Sequence, residues 1–339
     1  MFNSISCLAN KDQLNVLIIN SYHQDYPWTL GQNKAFKKEI IKQLPNYNIH
    51  FTTESLNTKQ VAATEEYHQS FINYFHVKYR QNLPDLIYVT DDNATNFVIE
   101  HITDIHLYAD IPIVFSGVNN LQLFEQYKTS NITGVFEFKN LESNIALLKH
   151  LNFQFNTVLW VGDGGRSDSE VIKKSNLIKQ KFANITIIRI AHNQLSQLIN
   201  LINKQPPAPI IITSIGKLKD DSGNLVSPEN ISKTLAKTNR LIMVTEDGYF
   251  LKKHNLILGG YLATSTSQGK PAAALAAKAI QQHSADNIAP YSEVPLELVI
   301  DWRQLQKHNL SLPEKLGKSA KYLTSHKLFL PETLACLFG

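Results

Sequence analysis

The chain has 339 residues, a formal charge of +4 and two cysteines, and that length implies two domains of roughly 150 residues each. Lys and Arg are scattered rather than gathered in a stripe or interleaved with aromatic residues, which argues against nucleic acid as a partner. Cys7 and Cys336 lie near opposite ends and form neither a disulfide framework nor a metal-ligand spacing, and no run approaches the roughly 18 consecutive apolar residues of a membrane span.

Residues 1–10 read either as the remnant of a signal peptide, with Cys7-Leu8-Ala9 as a small-residue cleavage site, or as the frayed start of a cytosolic chain. A strand over Asn15–Asn20 then leads through SYHQDYPWTL into a helix near Gly31–Leu44, whose Phe36, Ile40, Ile41 and Leu44 form one apolar face. A strand near Ile49–Thr53, a helix near Thr64–Arg80, a strand over Leu86–Val89, the turn TDDNA and a helix near Thr95–Ile102 follow, and the strand Ile113–Phe115 closes the set. The pattern begins again at the strand Thr157–Val161, which runs into Gly162-Asp163-Gly164-Gly165 and a helix over about Ser169–Phe182. Strands at Ile185–Ile190, Ile210–Ser214 and Leu241–Thr245 are separated by helices at Gln194–Lys204 and Pro228–Lys237. Asp220-Asp221-Ser222-Gly223-Asn224 reads as a surface turn, and Pro271 suits the first turn of the Ala-rich helix that follows it.

Continuous Val, Ile and Leu runs imply strands buried on both faces. Alternation with helices makes the sheets parallel and doubly wound, and ligands of such sheets sit beyond the carboxyl ends of the strands. Those ends are polar here: Ser21-Tyr22, Thr90-Asp91-Asp92, Ser116-Gly117, Gly162-Asp163, Ser214 and Thr245-Glu246.

Catalytic signatures are sparse. No GxGxxG, Walker-type, GxSxG or HExxH pattern occurs. His101 and His106 are five residues apart, off a common helical face, and the 12 histidines read as ordinary surface residues, so neither metal nor cofactor is expected. The turn Gly162-Asp163-Gly164-Gly165-Arg166-Ser167 could cradle an anion with its backbone N–H groups, or simply cap the next helix. Asp91 or Asp92 could hold an ammonium group, one of the pair being expected only to cap the helix near Thr95, and binding is favoured over acid/base work. Tyr22, Tyr26 and Trp28 could form an aromatic wall, Tyr22 the better candidate because it follows the strand end, while Trp28 could equally pack under the first helix.

The stretches INSYHQDYPW, VTDDNA, VFSGVN, ITGVFE, WVGD, GGYLATSTSQGKPAAALAAKAI and VIDWRQL follow in order between Asn15 and Leu312. Together they resemble ABC-type substrate-binding proteins of the uncharacterised transport-component type, which also occur as extracytoplasmic sensor domains of bacterial histidine kinases and diguanylate cyclases. The resemblance implies a type I periplasmic-binding-protein-like α/β fold, with two doubly wound parallel-sheet lobes around a central cleft. It places the first lobe at residues 14–136 plus 259–283 and the second at 137–258 plus 284–325. It implies a cleft lined by Ser21, Tyr22, His23, Thr90, Asp91, Asp92, Ser116, Gly117, Val118, Asp163, Ser214 and Glu246, and Trp28 joins these from the aromatic cluster. Ser21, Ser116 and Ser214 would then hydrogen bond to a ligand and Tyr22 would stack on it. Departures from the family pattern are Lys252-Lys253-His254-Asn255 in place of a Gly-His-Gly stretch, and Asn140 where Asp is common after TGVxE.

The function so implied is that of a non-enzymatic, extracytoplasmic solute-binding protein or ligand sensor. It would close on a small metabolite such as an amino acid and present the closed form to an ABC permease or a membrane signalling protein. Two alternatives remain: a two-lobed enzyme such as a nucleotide-sugar-dependent transferase, which needs the GDGGRS turn as its nucleotide site, and a partner-sensing module with no small ligand.

Overall fold

The apolar runs form two sheets in the computed structural model, which describes residues 12–102, 108–120, 131–165, 175–249, 256–291 and 294–323. The chain divides into two units, one of Met1–Glu137 and Ser265–Val294, the other of Phe138–Thr264 and Pro295–Gly339.

In the first unit β1 (Asp12–Asn20), β2 (Tyr47–Ser55), β3 (Leu86–Thr90), β4 (Ile113–Val118) and β5 (Ile132–Phe136) form a wholly parallel sheet in the order β2-β1-β3-β4-β5. Successive side chains point to opposite faces, so Val16 and Ile18 pack with Phe36 and Ile40 of α1 (Pro27–Gln43) on one face. Leu17 and Ile19 pack on the other with Phe75 of α2 (Glu65–Tyr79) and Phe97 of α3 (Asp91–Phe97), which continues as a π-helical turn over Val98–Ile102.

Several local expectations change. Helix α1 begins at Pro27, whose fixed φ fits the first helical position. The turn expected over TDDNA does not form. Asp91, in the left-handed region at φ 61°, reverses the chain in one residue and α3 starts there. The sheet also has a strand beyond Ile113–Phe115, namely β5.

The second unit holds α4 (Leu141–His150), β6 (Thr157–Gly162), α5 (Ser175–Lys181), β7 (Thr186–Ala191), α6 (Leu195–Asn203), β8 (Ile210–Ser214), α7 (Pro228–Ala236) and β9 (Ile242–Val244). Strand β10 (Gly259–Leu262) follows, and after the return from the first unit come β11 (Glu297–Ile300), α9 (Trp302–Lys307), α10 (Glu314–Ser319) and β12 (Lys321–Tyr322). The sheet order is β12-β11-β10-β9-β8-β6-β7, and its antiparallel pair is β10 with β11. One face is covered by α4, α5 and α9, through Leu148, Ile178 and Leu305. The other is covered by α6 and α7, through Leu198, Ile202, Ile231 and Leu235. Since β10 is bonded into this sheet, residues 259–264 belong to the second unit rather than the first.

Helix α8 (Ser265–Gln282) returns to the first unit and runs through Pro271 rather than starting there. It packs closely on α1. A Cβ on Gly269 would lie 2.2 Å from the Gln32 carbonyl oxygen, so only glycine fits that crossing. The small side chains of Ala272, Ala273 and Ala276 continue the seam. The seam sets the height of α1 and therefore of Trp28 in its first turn.

Candidate ligand-binding site

In the first unit the ends of β1 and β3 are locked together before any ligand is considered. Ser21 Oγ donates to the Thr90 carbonyl at 2.6 Å and accepts from the Ala94 N–H at 2.7 Å, so its hydroxyl caps α3. Thr90 is buried, with its own hydroxyl directed at Asn20 Oδ1. Ser116 Oγ lies between Tyr88 OH at 2.7 Å and Gln32 Nε2 at 3.2 Å, and is wholly buried. Ser21 and Ser116, expected to meet a ligand, are therefore committed to the protein, because the strand ends need polar partners of their own. Val118 is core, and Gly117, at φ 72°, gives its N–H to Gln268 Oε1.

Three acids converge beside these strand ends. Asp91 is buried and accepts the Trp28 indole N–H on Oδ1 at 3.0 Å, so Trp28 supports the carboxylate from below α1 instead of presenting an open wall. Asp92 accepts the backbone N–H groups of Asn119 and Asn120 at 3.3 and 3.1 Å, holding the loop after β4. Glu137, at the end of β5, accepts from Asn119 Nδ2 at 3.2 Å. Both Asp91 and Asp92 lie in the first turn of α3, where the positive end of the helix favours negative charge.

The aromatic side of the cluster is Tyr22, Tyr26 and His23. Tyr22 and Tyr26 meet edge to face at 5.4 Å, as do His23 and Tyr26. Desolvation, and then the charges of Asp91, Asp92 and Glu137, push the Tyr22 hydroxyl well above its ordinary range. An anionic phenolate is disfavoured there, while the carboxylates and the ring faces favour a cation, which the chain supplies: Lys59 Nζ lies 4.5 Å from the Tyr22 ring centre and 4.9 Å from that of Tyr26.

The strand ends of the second unit are built otherwise. Asp163 Oδ2 accepts from Ser214 Oγ at 3.1 Å and from the Lys217 N–H at 2.9 Å, while Oδ1 accepts from the Gly165 N–H at 2.9 Å. The carboxylate thus fills the position an anion would take in the GDGGRS turn, and of that turn Arg166 and Ser167 lie outside the described residues. Glu246 is buried against Lys139, with Nζ 3.3 Å from Oε2. Asn140 caps α4 by accepting from the Ser143 N–H at 2.8 Å, the work an Asp would do. Residues 1–10, Lys252-Lys253-His254-Asn255, His106 and Cys336 also fall outside the described residues.

Sequence reasoning passed over Asn119, Glu137, Lys59 and Lys139. Asn119 and Glu137 end the stretches VFSGVN and ITGVFE, so their position at strand ends was a usable signal. Lys59 and Lys139 reach the clusters through tertiary packing that no local spacing reports.

No protein-family description and no curated protein sequence matches the chain. Solved structures do. An ABC domain from Streptococcus pneumoniae in complex with L-Trp superposes with a TM-score of 0.61 at 12% identity, covering 91% of this chain and 99% of that one. A ligand-free, open substrate-binding protein with adhesive properties from Clostridium difficile gives 0.64 at 15% identity, over 91% and 98% of the chains. This is the type I periplasmic-binding-protein fold. The branched-chain amino acid transporter substrate-binding protein LivJ of Streptococcus pneumoniae, in complex with isoleucine, shares it at a TM-score of 0.54 and 9% identity, over 82% and 86%. Among the described residues no helix is long and apolar enough to cross a membrane.

Proposed function

We propose that this protein is a non-enzymatic extracytoplasmic solute-binding protein or ligand sensor whose first unit holds the ammonium group of a small metabolite, such as an amino acid. The observation that carries this reading is the convergence of Asp91, Asp92 and Glu137 on the Tyr22 and Tyr26 rings, with a lysine ammonium already over those rings. Carboxylates supply charge-assisted hydrogen bonds to an ammonium and ring faces supply cation–π attraction, so the cluster selects for a primary amine. Asp91 is held rigidly by Trp28 and by its place at the head of α3, so little ordering cost falls on binding. The proteins that share the fold and carry L-Trp or isoleucine support the amino-acid class. An importer or a signalling protein would read the liganded form.

The test is thermal unfolding of refolded, ligand-stripped protein against amino acids, short peptides, sugars, polyamines and nucleotides. A ligand at 100 times its Kd raises stability by about 2.7 kcal/mol. Upward shifts confined to amine-bearing solutes, and lost in Asp91→Asn, fit the proposal. A shift with nucleotides alone would favour the transferase reading instead.

A further inference from the structure

Two histidines that the sequence leaves as ordinary surface residues come together in the first unit, on the helices of one sheet face. Thr64 caps α2 by accepting from the Tyr67 N–H, which fixes Glu65 in the first turn and His68 one turn on, three residues apart and on one helical face. His101 comes from the π-helical turn Val98–Ile102. The wider π turn is an uncommon backbone form that recurs at functional sites, and here it carries His101 to His68, with ring centres 5.5 Å apart. Phe97 packs against both rings, at 5.4 Å from His68 and 5.5 Å from His101, and so limits how they turn. One ligand atom from each of Glu65, His68 and His101 lies within 4.8 Å of the other two.

We infer that Glu65, His68 and His101 form a binding site for a divalent transition metal, with Zn²⁺ the best fit. Two imidazoles and one carboxylate are a donor set that Zn²⁺ accepts in tetrahedral geometry, with a fourth position left for water. Bonds of about 2.1 Å set the ligand atoms roughly 3.4 Å apart. From within 4.8 Å of one another, the ligand atoms would draw together by up to about 1.4 Å on binding, with the exposed Glu65 the least confined of the three. Bound metal would staple α2 to the end of the helix whose first residue is Asp91. The inference is independent of the solute reading, since it uses neither the acid cluster nor its rings.

The test uses the full chain without a histidine tag, stripped with EDTA and titrated with Zn²⁺ in competition with a chromophoric chelator. The expected result is one tightly held equivalent. Removing a direct ligand in His68→Ala or His101→Ala should weaken binding by more than the roughly 10–100-fold typical of groups behind the ligands, while His192→Ala in the other unit leaves it unchanged. His68→Gln serves if the alanine variant fails to fold, and unfolding curves in EDTA verify that each variant is native. Absence of stoichiometric binding by the native chain, or full retention of it by the folded His68 and His101 variants, would overturn the assignment.

Discussion

In the first unit the strand ends gather Asp91, Asp92 and Glu137 around Tyr22, and burial followed by these charges raises that hydroxyl's pKa. In the second unit, Asp163 is ringed by Gly165, Ser214 and Lys217, and Glu246 is buried against Lys139. Both units use the same parallel-sheet geometry, which leaves carboxylates at strand ends. The difference lies in what surrounds them. Backbone donors hold acids in both units, Asp92 as well as Asp163, but Glu246 of the second unit is buried against Lys139, whereas the first unit places its acids beside ring faces that attract cations.

The largest expected effect is in the second unit. Lys139→Met removes the cation against buried Glu246 and should cost about 3–5 kcal/mol in urea unfolding. Adding Glu246→Leu should recover most of that loss, and no recovery would mean that the two side chains act independently. Asp163→Ala deprives three donors of their acceptor and should cost about 2–3 kcal/mol, while amine binding per folded molecule is unchanged. If Asp163→Ala abolished amine binding in a folded protein, the contrast between the units would collapse.

In the first unit, Trp28→Phe removes the indole donor to Asp91 and should cost about 1–2 kcal/mol and weaken amine binding. The smallest effect is one of pH. The Tyr22 hydroxyl titrates near 10 when unfolded and higher when folded, so its contribution is complete below pH 10 and is lost as pH rises from there toward the folded value. Tyr22→Phe should therefore lessen the loss of stability as pH rises above 10, read as a flatter alkaline melting profile. Tyr88, whose pKa burial also raises, leaves part of that loss in place. A melting profile identical to that of the native chain would show that folding does not raise the Tyr22 pKa.

The strands most legible in the sequence are those whose Val, Ile and Leu runs are buried on both faces, as in VLIIN, IPIVF and IIIT. Strand β5 escaped because ITGVF contains a threonine and a glycine. That glycine is required, since a Cβ on Gly134 would lie 2.4 Å from the Phe115 carbonyl oxygen. The polar strand ends were legible as positions but not as roles. Whether a serine faces a ligand or the protein depends on partners such as Thr90, 69 residues from Ser21, and Gln32, 84 residues from Ser116. Pro271 misleads for a related reason: the packing of α8 on α1 outweighs the local preference of proline for a helix start.

The most direct test of the central claim is calorimetric titration of ligand-stripped protein with paired solutes, each amino acid against the acid of the same carbon skeleton lacking its amine. The account predicts binding by the amine member of a pair only, with affinity reduced at least about tenfold in Asp91→Asn, since a charge-assisted hydrogen bond loses roughly half its strength when the charge goes. Equal affinity for both members of the binding pairs, or undiminished binding in folded Asp91→Asn, would contradict it.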